Sequence, residues 1–254
     1  MKVTVCELPH EARPLADAWA RLCEHTTAHG SDFVLLPEFA FIEPLWERDR
    51  FDARQWEDGV ALANVWTARL DELRAAHVVS TRPSAAGRRC FNEGFIWTRG
   101  SGTAPLRRKY FLPDETGGWE TRWFARGDRE FPSFTAGGIS FALNICTELW
   151  ALETYAAYAA LGLDAVICPR ATSSGTFGTW LSAGIVAAVR SGAYCLSSNR
   201  VHPDGSCGGR GWIISPDGDV LAMTSQDAPF HTIEIDTAAV RAAARTYPRY
   251  VFAN

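Results

Sequence analysis

Four residues of this 254-residue chain have types and settings suited to chemistry: Cys146, Glu38, Lys109 and Glu120. Cys146 closes the apolar run Gly138–Cys146 (GISFALNIC) and precedes a helix-like segment. A thiol at such a strand-to-helix turn projects from the C-terminal edge of a sheet, beside backbone N–H groups, and a helix N-terminus there lowers its pKa. Glu38 follows Leu35-Leu36-Pro37, where proline pins the chain as it leaves a strand. Lys109 follows Arg107-Arg108 and precedes the apolar Tyr110-Phe111-Leu112-Pro113. Glu120 lies between Trp119 and Trp123, and a carboxyl in an aromatic pocket has a raised pKa unless a cation pairs with it. Glu115 is its nearby competitor. Each also has an ordinary reading when taken alone: a core cysteine, a solvated strand end, a surface ammonium. Together, a thiol, two carboxylates and an ammonium are the parts of acyl transfer through a thioester.

The other thiols need no such explanation. Seven cysteines without a C-x-x-C pair support neither a disulfide framework nor a zinc site. Cys6, Cys168, Cys23 and Cys195 lie in or beside apolar runs and read as small core residues. Cys207, in a glycine-rich loop, is expected to be exposed. A papain-like protease would need a histidine base, and none of the six histidines sits in a protease signature; His202, in the loop after Asn199-Arg200-Val201, is the one considered near the site.

These residues must be held by alternating strands and helices. Strands are predicted at Val3–Cys6, Asp32–Phe39, His77–Thr81, Phe91–Trp97, Gly138–Cys146, Asp164–Pro169, Tyr194–Arg200, Trp212–Ser215 and His231–Ile235. Helices are predicted at Leu15–His29, where Gly30 supplies a stop, at Gln55–Ala76, where Val60, Ala63, Trp66, Leu70 and Leu73 recur at helical spacing, and at Leu149–Leu161, Trp180–Ser191 and Ala238–Arg245. The pattern calls for a layered α/β fold. Consecutive strands argue against a pure Rossmann or (β/α)₈ arrangement, and no G-x-G-x-x-G follows a strand.

Composition narrows the class further. The chain is 47% hydrophobic and 21% charged, with a net charge of −4, as in ordinary globular proteins. Nothing points to nucleic acid or an anionic membrane. No apolar stretch reaches the roughly 20 residues of a membrane span, and the N-terminus lacks a signal-peptide pattern, so a cytoplasmic location is expected.

The ordered segments LLPE (35–38), RRKYFLP (107–113), WETRWFARGD (119–128), LNICTELW (143–150), DAVICPRA (164–171), AYCLSSNR (193–200) and IISPDGDVLA (213–222) together resemble the nitrilase superfamily of carbon–nitrogen hydrolases over nearly the whole chain. The resemblance implies a single domain over 1–254, built as a four-layer α-β-β-α sandwich. It implies Glu38 as general base, Lys109 as oxyanion stabiliser, Cys146 as nucleophile and Glu120, placed before Gly127-Asp128, as the second glutamate. Thr147, Trp119, Trp150 and Thr172 become candidate substrate-binding positions. The implied activity is amide hydrolysis without metal or organic cofactor. Nitrile hydrolysis and a catalytically idle, ligand-binding relative are the alternatives. The Cys-Trp-Glu tripeptide of nitrilases proper is replaced by Cys146-Thr147-Glu148, which favours amides. Trp150 stands where many relatives carry a carboxylate-binding arginine, and Arg190 where many carry a glutamate. The resemblance also implies a homodimer, formed through helices after the nucleophile and near the C-terminus.

Overall fold

A computed structural model describes residues 1–252. The chain begins with β1 (Lys2–Leu8), α1 (Ala12–His29), β2 (Phe33–Leu35) and α2 (Ala53–Thr67). A three-stranded run follows: β3 (His77–Ala86), β4 (Arg89–Thr98) and β5 (Gly102–Arg108). After the short α3 (Glu120–Trp123) come β6 (Ser133–Ala136), β7 (Ile139–Leu143), α4 (Thr154–Leu161), β8 (Ala165–Arg170), α5 (Phe177–Ser191) and β9 (Tyr194–Arg200). The chain closes with β10 (Trp212–Ile214), β11 (Val220–Met223), β12 (Phe230–Glu234) and α6 (Thr237–Ala243).

The strands run in the order β5-β4-β3-β2-β1-β9-β8-β7-β6, with β12 on β1, β10 on β9 and β11 on β10. The join between halves is short: β1 and β9 pair in parallel only at Glu7–Asn199 and Leu8–Arg200. The array therefore folds into two facing sheets. Alternate residues of each strand point to opposite faces, and the core divides accordingly. Val3, Val5, Phe33 and Leu35 of the first sheet meet Phe141, Leu143, Ile167 and Leu196 of the second. The other face of the first sheet, with Val34, Leu36 and Val78, packs on Trp19, Leu22, Trp56 and Trp66 of α1 and α2. The other face of the second, with Ala142, Val166, Cys168 and Cys195, packs on Tyr155, Tyr158, Ala183 and Ala187 of α4 and α5. This is the four-layer α-β-β-α sandwich. No helix among the described residues is long and apolar enough to cross a membrane.

Some sequence expectations are corrected. The helix predicted to Ala76 ends at Thr67, and a 3₁₀ turn over Leu70–Leu73 buries its two leucines before β3 begins. Strand pairing around Glu38 stops at Leu35, so Leu36–Phe39 is an irregular exit and not strand. The helix expected from Leu149 begins at Thr154, after a separate 3₁₀ turn over Cys146–Trp150. Strands β5, β6 and β11 were not anticipated. All three lie at ends of the hydrogen-bonded array, where a half-exposed strand carries little apolar alternation, and β5 contains Pro105, tolerated at an edge. Cys207 is buried, not exposed, because its loop folds back so that the Gly208 N–H donates to Thr172 O at 2.8 Å.

Candidate active site

Glu38 leaves the end of β2 on a fully tethered path. Ser80 Oγ donates to Pro37 O at 2.7 Å, and the Glu38 N–H donates to Arg170 O at 3.3 Å. Phe39 adopts a left-handed φ of 46°, and its N–H donates to Thr81 Oγ1 at 2.9 Å. Such a conformation at a bulky residue costs about 1–3 kcal/mol and persists only where the surroundings impose it. The result points the carboxylate inward, 2% exposed. Asn92 Nδ2 donates to Glu38 Oε1 at 2.7 Å.

Lys109 follows β5 directly. Arg107 and Lys109 lie two residues apart and so share a face, while Arg108 lies on the other. Arg108 reaches the Phe91 ring at 4.0 Å and Glu93 at 3.4 Å. Lys109 is buried, and its Nζ donates to Glu38 Oε1 at 2.9 Å and to Glu120 Oε1 at 2.7 Å. Burial opposes its charge, but the two carboxylates outweigh burial and hold its pKa well above the ordinary value. The Gly127 N–H donates to Lys109 O at 2.9 Å. A Cβ at Gly127 would meet Arg108 O at 2.3 Å, so only glycine lets the Glu120 loop lie against this strand. Glu115 turns away and pairs its backbone with Gly118; Glu120 is the glutamate on Lys109.

Glu120 is 5% exposed, and its Oε2 has no hydrogen-bond partner in the protein. Burial first, and the Glu38 charge after it, raise its pKa while Lys109 pulls it back, and the balance lies at about 7. A folded-state pKa above the unfolded value of 4.5 means the native protein holds a proton that the unfolded chain releases between these values. Stability from this group is thus lost as pH rises from about 4.5 to about 7. Glu120→Gln should therefore gain stability relative to wild type across that window. Urea unfolding of both proteins at pH 5, 6 and 7 measures this, and a difference that stays flat or narrows with pH contradicts it.

Cys146 lies just beyond β7 with a left-handed φ of 50°, at the head of the 3₁₀ turn. The expected dipole-lowered thiol is not what the fold provides. Burial first, then the Glu38 charge, push the thiol well up, while Lys109 and the Ala171 N–H pull it back. These surroundings favour the thiol over the thiolate, and the sulfur feels the charges of Glu38, Lys109 and Glu120. The turn is built on Glu148, a fully buried carboxylate. It accepts from Ile145 N at 3.0 Å, from Tyr110 N at 2.7 Å and from both terminal nitrogens of Arg107. One carboxylate thereby ties the residues flanking Lys109 to the residue preceding Cys146.

The substrate candidates are more dispersed. Thr172 lies two residues past β8; its Oγ1 accepts from Arg170 Nη1 at 2.7 Å and its N–H donates to Asn199 at 3.0 Å. Thr147 follows the thiol in the turn. Trp119 is half-buried beneath Arg122. Trp150 is 41% exposed and packs on Trp180 at 5.8 Å. Trp123 is core, with Nε1 donating to Arg48 O at 2.8 Å.

A family model described as carbon-nitrogen hydrolase matches residues 2–245. This chain belongs to the carbon-nitrogen hydrolase family. The fold agrees with solved structures. A carbon-nitrogen hydrolase from Helicobacter pylori G27 superposes with a TM-score of 0.85 at 17% identity, covering 99% of this chain and 94% of that one. A CN-hydrolase superfamily protein from Xanthomonas campestris, with an arsenic adduct in its active site, gives 0.77 at 15%, covering 100% and 97%. An amidase from Nesterenkonia sp. gives 0.76 at 16%, covering 95% and 92%. No curated protein matches by sequence. Within the carbon-nitrogen hydrolase family, then, this chain brings Glu38, Lys109 and Glu120 into one buried hydrogen-bonded cluster beside Cys146. Sequence reasoning missed the roles of Asn92, Arg107 and Glu148. The alternation of Arg107 with Lys109 was the available signal for one of them; the others depend on contacts distant in the chain.

Proposed function

We propose that the chain is a thiol amidohydrolase acting on small neutral amides. The observation that carries this is the Glu38–Lys109–Glu120 cluster beside a buried thiol, whose proton a neighbouring base must take to make the nucleophile. The two hydrogen bonds to Glu38 both fall on Oε1, so Oε2 is the oxygen left to act as base. Glu38 takes the thiol proton as sulfur attacks the amide carbonyl carbon. The oxyanion develops against Lys109 and the Thr147 N–H. Glu38 then returns the proton to the departing nitrogen, the C–N bond breaks, and ammonia or an amine leaves a thioester on Cys146. Water, deprotonated by Glu38, attacks the thioester; the carboxylic acid departs and the thiol regains its proton. Glu120 holds Lys109 in place and offsets its charge. The amidase from Nesterenkonia sp. AN1, in variant form, shows covalent addition of the acetamide moiety of fluoroacetamide at its active-site cysteine, an alkylation that supports a nucleophilic cysteine at such a site.

The preference for neutral acyl groups rests on where the arginines are. Arg170 is committed to Ser197, Thr172 and the Arg210 carbonyl. Arg122 pairs with Asp114, and Arg190 lies over Phe252. Trp150 cannot pair with a carboxylate, and leaving an anion unpaired costs several kcal/mol. Ammonia release from a panel of aliphatic and aryl amides, ω-carboxylate amides, carbamoyl compounds and nitriles tests both levels. The expected result is kcat/KM at least about tenfold higher for a neutral amide than for its isosteric ω-carboxylate, consistent with an unpaired charge. The reverse order overturns the preference and points to Arg200, whose Nε and Nη1 lack partners in the protein. Turnover of nitriles alone overturns the amidase reading.

We also propose a homodimer across α4, α5 and the C-terminal turn, where Trp150, Leu152, Leu161, Val186, Val251 and Phe252 are exposed. Such an interface would cover large apolar side chains that these segments leave exposed. Light scattering should give twice the chain mass, and Leu161→Glu should shift it to the monomer; a wild-type monomer contradicts the proposal.

A further inference from the structure

A second cluster of chemistry-bearing side chains, sharing no residue with the Glu38–Lys109–Glu120 cluster, lies where β1 and β9 leave the sheet side by side. Their parallel register pairs Leu8 with Arg200, so two residues further on His10 and His202 emerge together, and their rings stack at 5.3 Å between centroids. Glu11 joins them. One ligand-capable atom from each of His10, Glu11 and His202 lies within 4.8 Å of the others. His10 is 8% exposed, and its Nδ1 has no hydrogen-bond partner in the protein; the same holds for the buried Glu11 Oε2. Burying two such atoms without partners is costly. Glu43 stands 3.7 Å from His10 Nε2 and leaves Nδ1 unpaired.

His202 is prepared in a further way. Its Nδ1 lies 2.6 Å from Asp204 Oδ1, and Asp204 Oδ1 is itself fixed by the Ser206 N–H at 2.8 Å. Its Nε2 points at Glu11 Oε1, 2.7 Å away. A carboxylate behind one imidazole nitrogen orients the ring and makes the other nitrogen a better donor to a metal. A cavity of about 540 Å³ opens beside the cluster, lined by Glu7, Glu11, Arg21, Val201, His202 and Phe230, and gives an ion a way in.

We propose that His10, Glu11 and His202 form a binding site for one divalent transition-metal ion, of which zinc is the natural probe. Two imidazoles and a carboxylate suit zinc, with water completing a tetrahedron. A tetrahedral ion with bonds near 2.0–2.2 Å holds its donors roughly 3.3–3.6 Å apart, so His202 Nε2 and Glu11 Oε1, now 2.7 Å apart, must open around it while His10 closes in from within 4.8 Å, a shift that partly exposed His202 and Glu11 can make. The ion would fasten the start of α1 to the Val201–Gly211 loop.

The test is calorimetric titration of zinc chloride into EDTA-stripped, dialysed full-length protein, alongside Cys146→Ala, His202→Asn, Glu11→Gln and Asp204→Asn variants. His202 and Glu11 are partly exposed, so these variants avoid disturbing buried His10, and circular dichroism checks each fold. The expected result is one zinc per chain in wild type and in Cys146→Ala. Affinity should fall at least about tenfold in His202→Asn and Glu11→Gln, and by roughly 10–100-fold in Asp204→Asn, the usual cost of losing a carboxylate behind a ligating histidine. Absence of saturable binding overturns the site. So does binding indifferent to His202→Asn, and so does binding lost in Cys146→Ala, which would place the ion on the reactive thiol.

Discussion

Cys146→Ala should lower kcat on any amide substrate by roughly four orders of magnitude or more, the scale seen when a covalent nucleophile is removed. The proposed route has no substitute for the sulfur: Glu38 could still deprotonate water, but no acyl-enzyme can form. The fold should survive, since the change removes one atom from a small side chain that makes no hydrogen bond essential to the turn; Glu148 and Asn144 hold that turn. Near-wild-type circular dichroism with activity lost is the expected pair of results. Retention of more than a few per cent of wild-type kcat, with contaminating enzyme excluded, removes Cys146 from the mechanism.

Lys109→Ala should be nearly as damaging to rate and worse for stability. The ammonium is the shared partner of Glu38 and Glu120, and all three are buried. Without it two carboxylates face each other in a low-dielectric site, and breaking a buried pair this way costs about 3–5 kcal/mol. Glu120, whose pKa is already raised to about 7, would take up a proton, and the oxyanion would lose its cation. Glu38→Gln removes the base but keeps a hydrogen-bonding group of the same shape, so it should cost several orders of magnitude in kcat with a smaller stability change. Groups that act as one unit are not additive, so Glu38→Gln combined with Lys109→Ala should be little slower than either alone. Rate losses that multiply would mean the two residues serve separate steps. Denaturant curves on each variant separate loss of chemistry from loss of folded protein.

The reach of the sequence is clearest at Glu38 and Cys146. Both follow apolar runs that end in a sheet, and a short run meeting proline, or ending in cysteine, localises a functional group at a strand end. Lys109 was ambiguous for a physical reason: a triplet of basic residues looks solvated until strand alternation assigns Arg107 and Lys109 to the interior and Arg108 to the outside. The choice of Glu120 over Glu115 came from the family's motif order, and the hydrogen bond to Lys109 agrees with it. The expectation of a dipole-lowered thiol fails because burial and the Glu38 charge push its pKa up, and the segment after Cys146 is a 3₁₀ turn closed by buried Glu148 in place of an α-helix. Asn92 could not be found. Its amide meets Glu38 only because β4 pairs with β3 and β3 with β2, a relation between residues 54 positions apart.

The Arg107–Glu148 pair also shapes how this chain can change by descent. The guanidinium comes from one sheet and the carboxylate from the turn beside the other, and each is buried. A substitution at either codon alone strands the remaining charge, at about 3–5 kcal/mol, a large share of the 5–15 kcal/mol that keeps a protein folded. An intermediate with one partner replaced is therefore close to unfolded, whichever residue changes first. Positions 107 and 148 are expected to be inherited as one unit, replaced jointly or not at all, and a library randomised at only one of them should return almost nothing but the parent residue.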